Sequence, residues 1–462
     1  MRNWIAPHFK RNLSIIPDRL KYNLLKRHAG MNRRPLTTTL MLMILIINAH
    51  PSIAQTPITL EQAIREALLF SPRAKTALWA RNAALADTDQ ENPRAQPSIN
   101  ITAAGTEQGS IVHLPDLPDA PILPEQYGKI ELAIVQPVYR AGLEAARTRY
   151  SADKDAAQAD YLKALSDLEL TVAKAFLNVE KAEEGVKIAQ EAVIESQSYQ
   201  TLVNKQIESG TARPVDAETA RAQAAEAQYA LTKAESSVIL ARFNLNRLMG
   251  KPLEDVLVIS PSSSRNDPPL TPDTAIRNAL KSRPELRSLQ DHLKAAEAGE
   301  SLARLETQPS LSFRGELAEQ SRTALLPSHY AAAGLELTWR LMDGGKRRQE
   351  IRSAKAQIER VKAMIQDAQQ GIKLEALTDW QLLLDTREMN NLAKIRLEAA
   401  KATWRVARKA YEVGQGTALE EQAAARELRD ADSSLLQAKY ALQEAYLEYR
   451  YAQGDMIPNL QS

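Results

Sequence analysis

The stretch Ala63-Ile64-Arg65-Glu66-Ala67-Leu68 returns as Ala275-Ile276-Arg277-Asn278-Ala279-Leu280, and this echo decides how the chain is read. Ser71-Pro72 returns as Arg283-Pro284, and Gln96-Pro97-Ser98-Ile99 as Gln308-Pro309-Ser310-Leu311, all at an offset of 212 residues. Farther on, Gly142 pairs with Gly345 at offset 203, and Gly210 with Gly414 and Gly250 with Gly454 at 204. The offset shrinks between Pro97 and Gly142, so the second copy has a shorter loop there. Chance similarity between alanine-rich helices would drift; it would not keep turn residues in one order. The chain therefore divides into a copy at 55–250, a Pro/Ser-rich linker at 251–269, a copy at 270–454 and a tail at 455–462.

Each copy changes periodicity twice. Leu60 to Asn92 reads as helix with a break at Ser71-Pro72. After Pro97 the pattern alternates, with Ile99, Ile101 and Ala103 on one side, and a second alternating stretch carries Ile130, Leu132 and Ile134. Between them Pro115, Pro118, Pro121 and Pro124 preclude regular structure. The second copy repeats the pattern with Leu311, Phe313, Gly315 and Leu317, then Leu335, Leu337 and Trp339. These read as hairpins whose strands approach the ~9–11 residues that cross a bilayer when tilted. Tyr127, Tyr139, Tyr330 and Trp339 stand at strand ends, where an aromatic girdle is expected. Beyond Gly142, the series Tyr161, Leu165, Leu168, Val172, Ala175, Val179, Ala182, Val186, Ala189, Val193 alternates steps of four and three. That is a heptad seam, and Leu143 to Glu208 predicts a rod of roughly 100 Å at ~1.5 Å per residue. Gly210 and Pro214 turn the chain, and Val215 to Met249 runs back over about half that length.

Composition agrees with long helices, since glycine and aromatics are scarce. The apolar run Leu40 to Ile47 is too short to span a membrane; Arg33-Arg34 precede it and Ser52-Ile53-Ala54 follow as a cleavage signal. We read 1–54 as a leader with a secretory signal peptide, Met31 as the natural start and 1–30 as an extension. The leader carries nine Lys and Arg against one acid, so a net +2 for the whole chain leaves −6 for the remainder. A nucleic-acid-binding surface is not indicated. The absence of cysteine removes disulfides, thiolate metal sites, thiol catalysis and a lipidated N-terminal cysteine.

Two hairpins give four strands with unpaired edges, which a membrane does not tolerate. Four strands do not close alone, because membrane barrels start at about eight. Several protomers must pool their strands: eight from a dimer or twelve from a trimer. Export, strand pairs and very long helices together point to a channel that crosses one membrane and reaches far from it.

The assembled features resemble the TolC-type outer-membrane efflux family over about Ile58 to Gly454. The markers are Leu60-Glu61-Gln62-Ala63-Ile64, Gln136-Pro137-Val138-Tyr139 and Leu341-Met342-Asp343-Gly344-Gly345-Lys346-Arg347-Arg348. The resemblance implies a mainly α fold with a membrane β portion: a homotrimer with a 12-stranded β-barrel continuous with a periplasmic α-helical barrel. It implies a passive exit channel of a tripartite efflux or type I secretion system, in outer-membrane lipid, docking a periplasmic adaptor and an inner-membrane pump, with no cofactor and no metal. Pro137, Gly142, Gly344 and Gly345 would form the barrel-to-helix junction, with Arg340 where the second copy lacks the proline. Gly210, Thr211, Val413 and Gly414 match the adaptor-docking turns, and Asp216, Tyr411 and Glu420 the periplasmic gate. Asp216 and Tyr411 match a hydrogen bond at the constriction, and Glu420 an acid of the entrance ring. Gly416 and Ala423 stand where the family has a gate arginine and a second tip acid, which implies a looser gate.

An enzyme is not supported: after the leader, His113, His292 and His329 have no metal-ligand or triad spacing, and Asp343-Gly344-Gly345 lacks a phosphate-cradling pattern. The alternative is a periplasmic coiled-coil adaptor, which would not be duplicated.

Overall fold

The computed structural model describes residues 57–89, 96–107, 126–210, 212–261, 271–321 and 327–456. The leader, Thr211, the proline-studded loop at Pro115 to Pro124, residues 262–269 of the linker and most of the tail lie outside the described residues.

Each copy opens with a broken helix. In the first, α1 (Leu60–Phe70) starts in a capping box: Thr59 Oγ1 accepts from the Gln62 N–H at 3.3 Å, and Gln62 Oε1 accepts from the Thr59 N–H at 3.0 Å. It stops at Ser71 because the following proline disfavours helical geometry there, and α2 (Pro72–Asp89) begins at once. Strands β1 (Ser98–Glu107) and β2 (Gln126–Arg140) follow, then α3 (Leu143–Glu208) and α4 (Pro214–Met249). The second copy repeats this as α5 (Pro272–Ser282), α6 (Pro284–Leu305), β3 (Ser310–Gln320), β4 (His329–Thr338), α7 (Lys346–Glu412) and α8 (Ala418–Ala452). The rods α3 and α7 have 66 and 67 residues, each roughly 100 Å long at ~1.5 Å per residue. No described helix is long and apolar enough to cross a membrane.

The strands form one antiparallel sheet in the order β1-β2-β3-β4, so β1 and β4 are free edges of a single chain. Register gathers the apolar residues on one face. Ile99 lies opposite Ile134, Ile101 opposite Leu132, Leu132 opposite Leu317, Phe313 opposite Leu335, and Leu311 opposite Leu337. The other face is polar, and Glu131 joins Lys129 at 2.7 Å and Arg314 at 3.1 Å.

The period of two corrects the expected girdle. Tyr127 and Tyr330 fall on the polar face, where the Tyr127 hydroxyl donates to Gln320 Oε1 at 2.6 Å and the Lys129 ammonium sits 5.6 Å from the Tyr330 ring centre. Tyr139 differs because the register shifts between Pro137 and Tyr139 and sets Tyr139 opposite Leu311, on the apolar face. A bulge is also where a strand tolerates a residue without an N–H. Pro137 is thus inside β2, which continues to Arg140; the change from strand to rod falls at Gly142 (φ 87°) and Gly345 (φ 89°).

The α3 seam packs as its spacing predicts. Leu165, Leu168, Val172, Ala175 and Val179 are buried with Ala63, Ala67, Leu245, Leu248 and Met249. A second row on α3, Ala173 and Leu177, packs on Tyr440 and Leu447 of α8. The linker at 251–269 is not loose throughout: Leu257 and Ile259 are buried in the first core, and Ile259 bridges Ile58 in parallel. Strand-like alternation of two apolar residues explains this.

Both returning helices end in a break of their own copy. Gly250, after α4, has φ 77°, and a Cβ there would lie 2.6 Å from the Phe70 carbonyl oxygen. Gly454, after α8, has φ 73°, and its Cβ would lie 2.8 Å from Ser282 Cβ. Each proline break is therefore a socket that admits a backbone without a side chain. α2 and α6 continue above the sockets, α4 and α8 below them.

Candidate functional site

At the tip the chain reverses twice. The second reversal is a Schellman turn: the Gly414 N–H donates to the Tyr411 carbonyl at 3.1 Å and the Gln415 N–H to the Ala410 carbonyl at 2.9 Å. At the first, the Gly210 N–H donates to the Ile207 carbonyl at 3.0 Å. Val215, Val413 and Leu419 are exposed here, with Leu419 76% accessible. Thr211 lies outside the described residues.

Within one chain the three expected gate residues meet partners that the sequence did not single out. Asp216 accepts from the Arg213 backbone N–H at 3.0 Å and from the Arg213 guanidinium at 3.1 Å. Hydrogen bonds from Arg213 hold its carboxyl below the usual range. Tyr411 instead lies beside Tyr199, with ring centres 5.8 Å apart, in a cluster with Val203 and Ala220. Burial, with Tyr199 next, pushes the Tyr411 phenol up. The expected Tyr411–Asp216 hydrogen bond is therefore not the one formed within a chain, because the Arg213 cap already occupies that carboxylate. Glu420 caps α8, accepting from the Thr417 N–H at 2.9 Å, and this bond lowers its carboxyl. Asp216 and Glu420 are equivalent positions of the two copies, each the third residue of its helix.

Sequence reasoning missed the other half of this cluster. Tyr199 accepts from Gln422 Nε2 at 2.9 Å, joining α3 to α8. Glu421 is buried and pairs with Arg408 at 3.2 Å. The signal for Tyr199 was present, since Val193, Ser196, Tyr199 and Val203 continue the α3 seam toward the turn.

Near the sockets a belt of charge ties α3, α7 and α8 together. Arg283, buried at the second break, bonds Glu375 of α7, lies 3.4 Å from Glu285, donates to the Tyr451 carbonyl at 3.3 Å and stacks 4.8 Å from the Tyr451 ring centre. The Tyr451 hydroxyl in turn donates to Asp167 of α3, which also holds Lys163 at 2.7 Å. Beside this, burial and then the like charges of Glu375 and Glu448 push Asp379 up to about 6. Burial pushes Glu169 up to about 7, against the pull of Arg450. An acid whose folded value is raised binds its proton more tightly folded than unfolded. The stability it confers is present in acid and is lost as pH rises from the ordinary carboxylate range through the raised value. We expect the melting temperature to fall between pH 5 and pH 8, and Asp379→Asn with Glu169→Gln to flatten that fall; an unchanged slope in the double variant would remove these acids from the account.

Among curated proteins no sequence match is found. Solved structures share the fold. The chain is similar to the outer membrane protein VceC of Vibrio cholerae at TM-score 0.71 and 17% identity, covering 86% of this chain and 96% of that one. It is similar to the Campylobacter jejuni CmeC outer membrane channel at 0.72 and 18%, covering 87% of each. The open state of the Neisseria gonorrhoeae MtrE outer membrane channel matches at 0.68 and 20%, covering 86% and 88%. The family model described as outer membrane efflux protein matches residues 63–251 and 275–454. Those two segments coincide with the two copies and part company where α4 gives way to α5, so the chain belongs to the outer membrane efflux protein family: a non-enzymatic channel of the outer membrane that extends into the periplasm.

Proposed function

We propose that three copies of the chain close a 12-stranded barrel and serve as the exit duct of a tripartite pump, docked at the helical tip by a periplasmic adaptor and fed by an inner-membrane pump. The observation that carries this reading is the open sheet. β1 and β4 each offer an unpaired edge, one face is apolar and the other is laced with Lys129, Glu131, Arg314 and Glu316. In lipid such edges must be paired, and neighbouring protomers supply the partners. The apolar face then meets lipid and the charged face lines the lumen. Tyr139 and Trp339 form the girdle of this reading, at the end of the barrel nearest the helices.

The adaptor surface comprises the turns at Gly210, Thr211, Val413 and Gly414, with Leu419 and Val413 as exposed apolar anchors. The gate is built from Asp216, Tyr411 and Glu420, supported by Tyr199. Gly416 is not simply a missing arginine: a Cβ there would sit 3.0 Å from Ala410 Cβ, so the turn has closed over that position. The duplication and the four-stranded sheet speak against a periplasmic adaptor.

The test is reconstitution of the purified full-length protein in a planar bilayer. A trimer with a small resting conductance is expected, and Asp216→Ala with Tyr411→Phe should raise it. A monomer that never conducts would sink the channel reading; a conducting trimer that the double variant leaves unchanged would remove only Asp216 and Tyr411 from the gate.

A further inference from the structure

We infer that the second strand-to-rod junction is a lipid-binding collar that holds anionic phospholipid headgroups of the leaflet where the barrel ends. The inference rests on the outer-membrane reading of the sheet and adds a ligand to it. Past the end of β4 the chain carries Trp339, Leu341 and Met342, which are 59%, 75% and 90% accessible. Trp339 and Leu341 extend the apolar alternation of Leu335 and Leu337 beyond the last paired residue, and Met342 follows them. Such bare apolar side chains belong at a bilayer interface rather than in water.

Directly below, α7 presents Arg348, Arg352 and Lys355, all exposed. Steps of four and three place them on one stripe of the helix. That stripe is opposite the residues of α7 that line the cavity shared with α3 and α6, a space of about 1060 Å³ bordered by Glu350, Gln357, Val361 and Met364. Two other cations of α7 have acids, Lys346 on the opposite side with Glu350 at 3.2 Å and Lys362, one heptad below Lys355 on the same stripe, with Glu359 at 2.8 Å. Among the described residues none of the three stripe cations has an acid within ion-pair distance. At ~1.5 Å per residue they lie within about 15 Å of the start of α7, and the headgroup zone is roughly 5–7 Å deep. Arg348 and Arg352 therefore reach phosphates by extending upward, and Lys355 adds to the field below them.

The first copy lacks this device. The positions equivalent to Arg348, Arg352 and Lys355 are Ala145, Arg149 and Ala152; Arg149 already faces Asp153 at 3.8 Å and Ala152 is buried. Asymmetry between duplicated junctions argues for a ligand rather than for a need of the fold. The occupant is a phosphodiester headgroup because the patch joins unpaired cations to bare apolar side chains at one level.

The test uses full-length protein in phosphatidylethanolamine vesicles containing equal fractions of brominated phosphatidylglycerol or brominated phosphatidylethanolamine. Tryptophan quenching is read, with Trp339→Phe identifying the signal of the junction. Wild type should favour the anionic lipid by about fivefold or more at low salt. The preference should vanish in R348Q/R352Q/K355Q and at high salt. Equal quenching by both lipids, or a preference that survives the triple change, overturns the collar and leaves the stripe to a protein partner or a second copy. No quenching of Trp339 by either lipid places the junction away from the bilayer and overturns the membrane reading itself.

Discussion

Gly250→Val is expected to destabilise the fold by about 3 kcal/mol or more, from left-handed strain and overpacking together. The residue has φ 77°, and a Cβ would lie 2.6 Å from the Phe70 carbonyl oxygen and 3.0 Å from its carbon. Both are backbone atoms at the break between α1 and α2, so no side-chain rotation relieves the overlap. The control is Gly210→Val: φ there is 75° but no atom lies within 4 Å of the added Cβ, so only strain remains, about 1–2 kcal/mol. Chemical denaturation of both variants measures the difference. Equal losses would mean that the socket contributes nothing beyond backbone strain. Gly454→Val should follow Gly250→Val, since its Cβ would meet Ser282 at 2.8 Å.

The second large effect is expected at Arg283. Replacing it by Ala removes one cation that serves Glu375, Glu285, the Tyr451 carbonyl and the Tyr451 ring. A buried pair broken on one side costs about 3–5 kcal/mol. Glu375 is partly exposed and recovers some hydration, so a loss of about 2–3 kcal/mol is the reasoned figure. Arg283→Met keeps most of the packing, and it should recover little if the charge matters. Full recovery of the melting temperature in the Met variant would make Arg283 a packing residue. The first copy has Ser71 at the equivalent break, buried, with its hydroxyl accepting from the Arg73 N–H at 3.3 Å. The buried arginine at the break is therefore a property of the second copy alone, although the belt it anchors reaches Asp167 of the first.

Most of the architecture was legible because it is carried by local signals. Prolines at 72 and 284 break helices, glycines at 142 and 345 start rods, and four strands announce themselves by alternation. The seam from Tyr161 to Val193 gave the packing of α3 on its own repeat. Its second row, Ala173 and Leu177 against α8, was not legible, since the partners Tyr440 and Leu447 lie more than 250 residues away. A separation of more than 200 residues likewise hid Tyr199 from Tyr411 and Gln422. Tyr127 and Tyr330 were misplaced for a different reason: they were placed by their position at strand ends, whereas their odd spacing from Ile130 and Leu335 sets them on the other face. Asp216 looked available for Tyr411 because the capping role of Arg213 at the turn is a three-residue contact that a family pattern overlooks.

The sockets also make the molecule a ruler. With their ends fixed at Gly250 and Gly454, α4 and α8 run 36 and 35 residues to the tip, roughly 50 Å each at ~1.5 Å per residue. Reach below the sockets is thus set by helix length alone, independently of the sheet and of α2 and α6 above. Adding one heptad to each limb of both hairpins would lower the tip by about 10 Å without turning its faces. The distance from the sockets to the tip is therefore written in two residue counts, which must change together.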